Sequence, residues 1–139
     1  MSDVTDHSTA TPWAPRVLSI LRIMAGLLFL AHGTQKILGF PGMAGGAPMP
    51  DAMTLSWLAG VLELILGALI VLGLLTRPAA FLASGEMAAA YFIGHAPRDF
   101  YPVLNGGDAA ILYCFVFLYL SVAGPGPWSL DALMRRRDA

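Results

Sequence analysis

Four ionisable side chains, Arg22, His32, Glu63 and Glu86, lie inside long apolar stretches of this sequence, and Lys36 closes the first of them. In hydrocarbon such groups are costly unless they face the protein interior or one another. Each is therefore a candidate for ion pairing, proton exchange or ligand binding. Ala59, Glu63 and Gly67 recur at four-residue spacing, which puts the carboxyl on a stripe of small residues where a second helix can approach closely. Ala79, Ala83, Glu86 and Ala90 make the same pattern further on. In the first stretch Arg22, Gly26, Phe29, Gly33 and Lys36 form one stripe, with His32 beside it and four residues before Lys36. At about 1.5 Å per helical residue, His32, Glu63 and Glu86 all fall roughly 9 to 12 Å below one boundary of their helices. The spacing predicts a single polar layer there. Lys36 lies above it, Gln35, His95, Asn105 and Asp108 mark the mouth, and Arg22 lies towards the opposite side.

Two chemistries fit that layer. In one, the charges only hold the helices together: Arg22 or Lys36 neutralises Glu63 or Glu86, with an Arg22–Glu63 pair as the structural expectation. In the other, His32, Lys36, Glu63 and Glu86 line a pocket that binds a small polar ligand or a quinone headgroup and exchanges protons with it. Metal binding is not expected, because the histidines and carboxylates lack ligand spacing and Cys114 is the single cysteine. One thiol also excludes internal disulfides and dithiol redox chemistry. No phosphate-binding glycine loop or nucleophile elbow is present. The aromatic run Tyr113, Phe115, Phe117 and Tyr119 alternates too tightly for one helical face, so part of it must point outwards. Gly67 and Gly73 read as helix-packing contacts.

The elements that must position these groups are helices. Of 139 residues 57% are hydrophobic and 12% charged, against roughly 25% charged in an average soluble domain. Mean hydropathy is +0.68. Too few charges remain to clothe a water-facing surface. The pattern predicts an all-α, integral membrane, antiparallel four-helix bundle with spans at about 18–38, 55–75, 79–95 and 107–123. The apolar cores of the last two, 79–93 and 109–123, are short at about 22 Å, so their ends must extend or the bilayer must thin. Residues 1–15 read as a disordered polar tail in which Asp3 and Asp6 spoil a cleavable basic leader. Residues 16–124 form the transmembrane domain. Gly39 to Thr54 and Gly94 to Gly107 are Gly/Pro-rich loops, and Thr76-Arg77-Pro78 is expected to break the second helix from the third. Residues 125–139 follow a Gly-Pro-Gly-Pro stop as an interfacial segment carrying Trp128 and Arg135 to Arg137. Arg16, Arg77 and that arginine run share one face, which the distribution of basic residues makes cytoplasmic, so both termini are expected inside. A net charge of -1 gives no field for nucleic acid.

Arg22 with Gly26-Leu27-Leu28-Phe29-Leu30-Ala31-His32-Gly33 and Gln35-Lys36, then Glu63 with Gly67 and Gly73, resembles the DoxX family of small bacterial membrane proteins. The likeness continues through Asn105-Gly106-Gly107-Asp108 and Gly124-Pro125-Gly126-Pro127-Trp128-Ser129-Leu130-Asp131. It implies a four-helix protein of the bacterial cytoplasmic membrane. Members are named after the membrane component of a thiosulfate to quinone oxidoreductase, and some accompany soluble partner enzymes. Arg22, His32, Lys36 and Glu63 are the family-like polar positions. Glu86 departs from the pattern, and Asp108 stands where glutamate is common. The resulting expectation is a membrane subunit of a quinone- or thiosulfate-linked redox system, with no built-in cofactor, quinone as its ligand and a soluble redox partner. A noncatalytic scaffold that docks a soluble protein through Trp128 to Arg137 is the alternative. A small transporter would need a homo-oligomer to make room for a path.

Overall fold

The computed structural model describes residues 11–138; the tail expected over 1–15 therefore falls largely outside the described residues. The described chain is all-α, with six helices and no strand: α1 (Ala14–Leu38), α2 (Leu55–Leu72), α3 (Thr76–Ala90), α4 (Pro102–Asn105), α5 (Asp108–Ala123) and α6 (Leu130–Arg137). A π turn over Tyr91–His95 prolongs α3. Among the described residues, α1 and α2 are long and apolar enough to cross a membrane, and α5 is a shorter apolar helix.

Local chemistry sets the ends. Pro15 sits in the first turn of α1, where its missing N–H costs nothing, and Gly39 closes the helix at φ +65. The Thr54 hydroxyl accepts the Trp57 N–H at the start of α2. Gly73, at φ +68, ends that helix by donating to the Ile70 carbonyl. The expected break at Thr76-Arg77-Pro78 lies instead at Gly73 to Leu75, and those three residues are the first turn of α3. The reason is distant in sequence: the Asp131 carboxylate accepts the Leu75 and Thr76 N–H groups, 2.9 Å each, and so caps α3 from α6. Likewise Ala14 and Pro15, expected in the tail, are already helical.

Glycines set how closely α1 and α2 run. A Cβ on Gly33 would lie 2.6 Å from the Leu64 nitrogen, on Gly60 2.8 Å from the Lys36 Cβ, and on Gly67 2.9 Å from the Leu30 Cα. Rising numbers on α1 meet falling numbers on α2, so the two are antiparallel. Ser84 on α3 donates to the Cys114 carbonyl of α5 at 2.8 Å, and Arg77 donates to the Ser121 and Val122 carbonyls, so α3 and α5 are antiparallel too. Phe29 meets Phe117 edge-on at 4.9 Å and joins α1 to α5. Phe29, Ile70, Ala80, Ala83, Phe117 and Leu120 are fully buried. Leu28, Ile65, Phe81 and Phe115 are exposed. The outer face is thus apolar while Arg22, Glu63, Ser19 and Thr76 are inside, the reverse of a water-soluble domain.

Arg22 is fully buried. Its Nε donates to the Pro125 carbonyl at 2.8 Å and Nη1 to the Ile70 carbonyl at 2.6 Å, with further bonds to the Val71 and Trp128 carbonyls. The expected Arg22–Glu63 pair is therefore not formed. The guanidinium fork instead satisfies carbonyls at the frayed C-terminal end of α2 and in the chain that leaves α5.

Candidate functional site

Lys36, at the last turn of α1, donates to Glu63 Oε1 at 2.7 Å. The Glu63 side chain is 3% exposed and that of Lys36 22%. The ammonium can reach the carboxylate because Gly60 removes any side chain between the two helices. Glu86 lies on α3, about one turn before the π turn, beside the same cavity as Lys36. Neither oxygen of Glu86, nor Oε2 of Glu63, meets a hydrogen-bond partner, although all three are buried. Such an arrangement is costly unless a proton or a donor group of another molecule satisfies it.

Glu86 and Lys36 line a groove of about 910 Å3 between α2 and α3. Leu58, Leu62, Leu66 and Leu82 supply its walls, and Ser56, His95 and Arg98 stand towards its mouth. Leu58, Leu62 and Leu82 are themselves exposed on the outer surface, so the groove opens sideways between the helices. Its size is that of a small-molecule site, about 300–1,000 Å3, and its few polar groups on apolar walls are the usual composition of one. The arrangement offers an acceptor at Glu86, cationic donors at Lys36 and Arg98, and a face for an apolar ring or chain.

The expected layer is only partly assembled. Lys36, Glu63 and Glu86 come together, but His32 does not line the groove: it is exposed on α1, edge-on to Tyr113 of α5 at 6.2 Å. The physical reason is rotation. Gly33 carries the α2 contact, so the preceding residue turns about 100° away towards α5. The four mouth residues also separate. His95 lines the groove and bonds the Asn105 carbonyl through Nδ1 at 3.1 Å. Gln35 donates to the Gly42 carbonyl at 2.7 Å and pins the first loop. Asn105 is buried, donating to the Asp99 carbonyl and accepting the Gly107 N–H, so it shapes the second loop and offers nothing to a ligand. Asp108 is exposed in the first turn of α5, where a negative charge favours the helix start. Sequence reasoning missed Arg98 as a groove residue. Its position four residues after Gly94 in a Pro-containing loop carried no periodic signal, and the π turn that precedes it is a local departure from helical spacing. Gly67 is the packing contact expected, and Gly73 both ends α2 and packs closely, since a Cβ there would lie 3.0 Å from the Arg22 Cζ. Among the described residues no group of three metal-ligating side chains converges. Phe117 is buried while Phe115 and Tyr119 face outwards, as the alternation required.

Residues 17–96 match the DoxX family model. The chain belongs to the DoxX family. The matched segment holds Lys36, Glu63 and Glu86, and also Arg22 at the other end of the helices. An uncharacterized protein of Haemophilus influenzae is 44% identical, over 86% of this chain and 91% of that relative. The inner membrane protein YphA of Escherichia coli is 37% identical, over 84% and 89%. An uncharacterized membrane protein of Mycobacterium tuberculosis is 30% identical, over 93% of each. No solved structure matches. Family, relatives named as membrane proteins and two helices of spanning length together support a membrane location.

Proposed function

We propose that this DoxX protein is a multi-pass protein of the bacterial cytoplasmic membrane, that α1, α2, α3 with its π turn, and α5 are four spans, and that both termini are cytoplasmic. The spans form one domain over 16–124, followed by an interfacial segment over 125–139. The apolar outer surface and the placement of Arg16, Arg77 and Arg135 to Arg137 at one end support this arrangement.

Within it, the groove between α2 and α3 binds a quinone headgroup, and the protein acts as the membrane subunit of a redox system whose electrons come from a soluble partner. The observation that carries this reading is Glu86, a residue lining an apolar groove whose two carboxyl oxygens are buried without a hydrogen-bond partner. A hydrophobic carrier diffusing in the membrane enters such a groove without crossing water. Glu86 exchanges a hydrogen bond or a proton with the ring oxygen, and Lys36, held by Glu63, offers a donor to the same head. The chain supplies binding and orientation; the electron chemistry belongs to the quinone.

The test is photolabelling of the purified protein in nanodiscs with an azido-quinone. Labelling should map to α2 and α3, be competed by unlabelled quinone, and weaken about tenfold or more in Glu86→Leu, the loss of one hydrogen bond to a charged group. An absence of saturable labelling in the wild type refutes the site.

A further inference from the structure

The C-terminal helix α6 is a short amphipathic element whose position is fixed by the body of the protein. The Asp131 carboxylate bonds the Leu75 and Thr76 N–H groups, and the Asp131 N–H donates to the Gly73 carbonyl at 2.9 Å. Ser129 caps the helix by accepting the Ala132 N–H. The preceding strand of chain is tied down as well: Arg22 donates to the Trp128 carbonyl, and the Trp128 N–H donates to the Ser19 hydroxyl at 3.2 Å. These bonds join α6 to the ends of α1, α2 and α3, so its outward face is set by tertiary structure and not by a free tether.

Its outward stripe of Leu130, Leu133, Met134 and Arg137 is apolar with a cationic end, and Arg135 and Arg136 flank it. Leu130, Leu133 and Met134 recur at helical spacing and are exposed, 38% to 49%. Trp128, 53% exposed, stands just before them. Arg135, Arg136 and Arg137 are exposed in the last turn, and among the described residues none of them is within ion-pair distance of a carboxylate. Arg16, stacked on Trp13 at 5.0 Å, lies at the same end of the helices. A purely acidic protein surface would meet the arginines but not the apolar side chains. A bilayer surface of anionic lipid covers both, since apolar side chains enter the acyl boundary while arginines meet phosphates at headgroup level.

We infer that α6 is a pinned interfacial helix that binds the headgroups of anionic phospholipids through Arg135, Arg136 and Arg137, with Leu130, Leu133 and Met134 in the acyl boundary. The inference rests on the membrane placement of residues 125–139 proposed above and is independent of the quinone groove.

Hydrogen exchange of residues 130–137 and native mass spectrometry of retained lipid are to be measured on the full chain. The nanodiscs contain phosphatidylcholine alone or a mixture with phosphatidylglycerol. Exchange should slow, and phosphatidylglycerol should be retained, in the anionic discs. In R135Q/R136Q/R137Q the preference should fall by about fivefold for each arginine that reaches the surface, with exchange in α1, α2 and α3 unchanged. Asp131→Ala keeps the arginines but removes the pin, and retention should fall there too. Equal exchange in both discs, or full retention by the triple variant, overturns the inference. Full retention by Asp131→Ala overturns its claim that pinning matters. Protection of α6 that arises only on adding a soluble acidic protein transfers the surface to that partner and also overturns it.

Discussion

Replacing Lys36 with Met keeps the side-chain stem that packs under Gly60 and deletes the ammonium 2.7 Å from Glu63. Glu63, 3% exposed, then has no cation beside it. Removing one partner of a buried pair costs about 3–5 kcal/mol. The orphaned carboxyl has one escape, which is to take a proton. From an ordinary glutamate value of about 4.3 up to pH 7, at about 1.36 kcal/mol per pH unit, that escape costs about 3.7 kcal/mol, within the same band. The sign follows from proton linkage. In the variant the folded state holds a proton that the unfolded state has lost at neutral pH, so stability falls as pH rises, and the deficit shrinks to about 1 kcal/mol at pH 5. K36M/E63Q, with no charge left to strand, should lie within about 1.5 kcal/mol of wild type. The assay is reversible unfolding in mixed micelles at increasing dodecyl sulfate, followed by circular dichroism at pH 5, 6 and 7. A K36M deficit below about 1 kcal/mol at pH 7, or one that does not change with pH, refutes the argument that the pair is desolvated.

Arg22→Lys keeps a charge but loses the fork that reaches four carbonyls. Stranding two or more of them should cost about 2–4 kcal/mol, read as a lower midpoint in the same titration. Gly33→Leu drives a side chain into the backbone of α2, where even a Cβ meets the Leu64 nitrogen at 2.6 Å. A loss of about 3 kcal/mol or failure to fold is expected, whereas Gly85→Leu on the open face of α3 should be tolerated. Burial opposes ionisation of Asp131, but its bonds from the Thr76 and Leu75 N–H groups and the nearby Arg135 outweigh that and hold its carboxyl below the usual aspartate range. Its contribution is therefore present above the unfolded-state value and lost as pH falls through the lower folded one. Asp131→Asn should lose that acid-dependent component and fray the start of α3 in hydrogen exchange. A reporter fused after Ala139 should be active only in its cytoplasmic form; activity outside the cytoplasm would invert the proposed topology.

The sequence alone reached the all-α class and the small-residue stripes, which composition and a helical period carry, and the family, which the resemblance of its motifs carries. Glu63 on the stripe with Ala59 and Gly67 is buried for that reason, and the two helices of spanning length declare themselves by apolar length. Tertiary structure decided which charges meet. Arg22 and Lys36 lie on one stripe of α1, and the sequence reading pairs Glu63 with Arg22. Antiparallel register against α2 carries Lys36 to Gly60 and Arg22 to the frayed end at Ile70 and Val71. The offset of about 100° from Gly33 likewise turns His32 away from the groove and towards Tyr113. Asp131, expected only in an interfacial segment, caps a helix 55 residues earlier. Period and composition report what each helix presents to a neighbour. Register and rotation depend on where the neighbour lies, and only the folded chain holds that information.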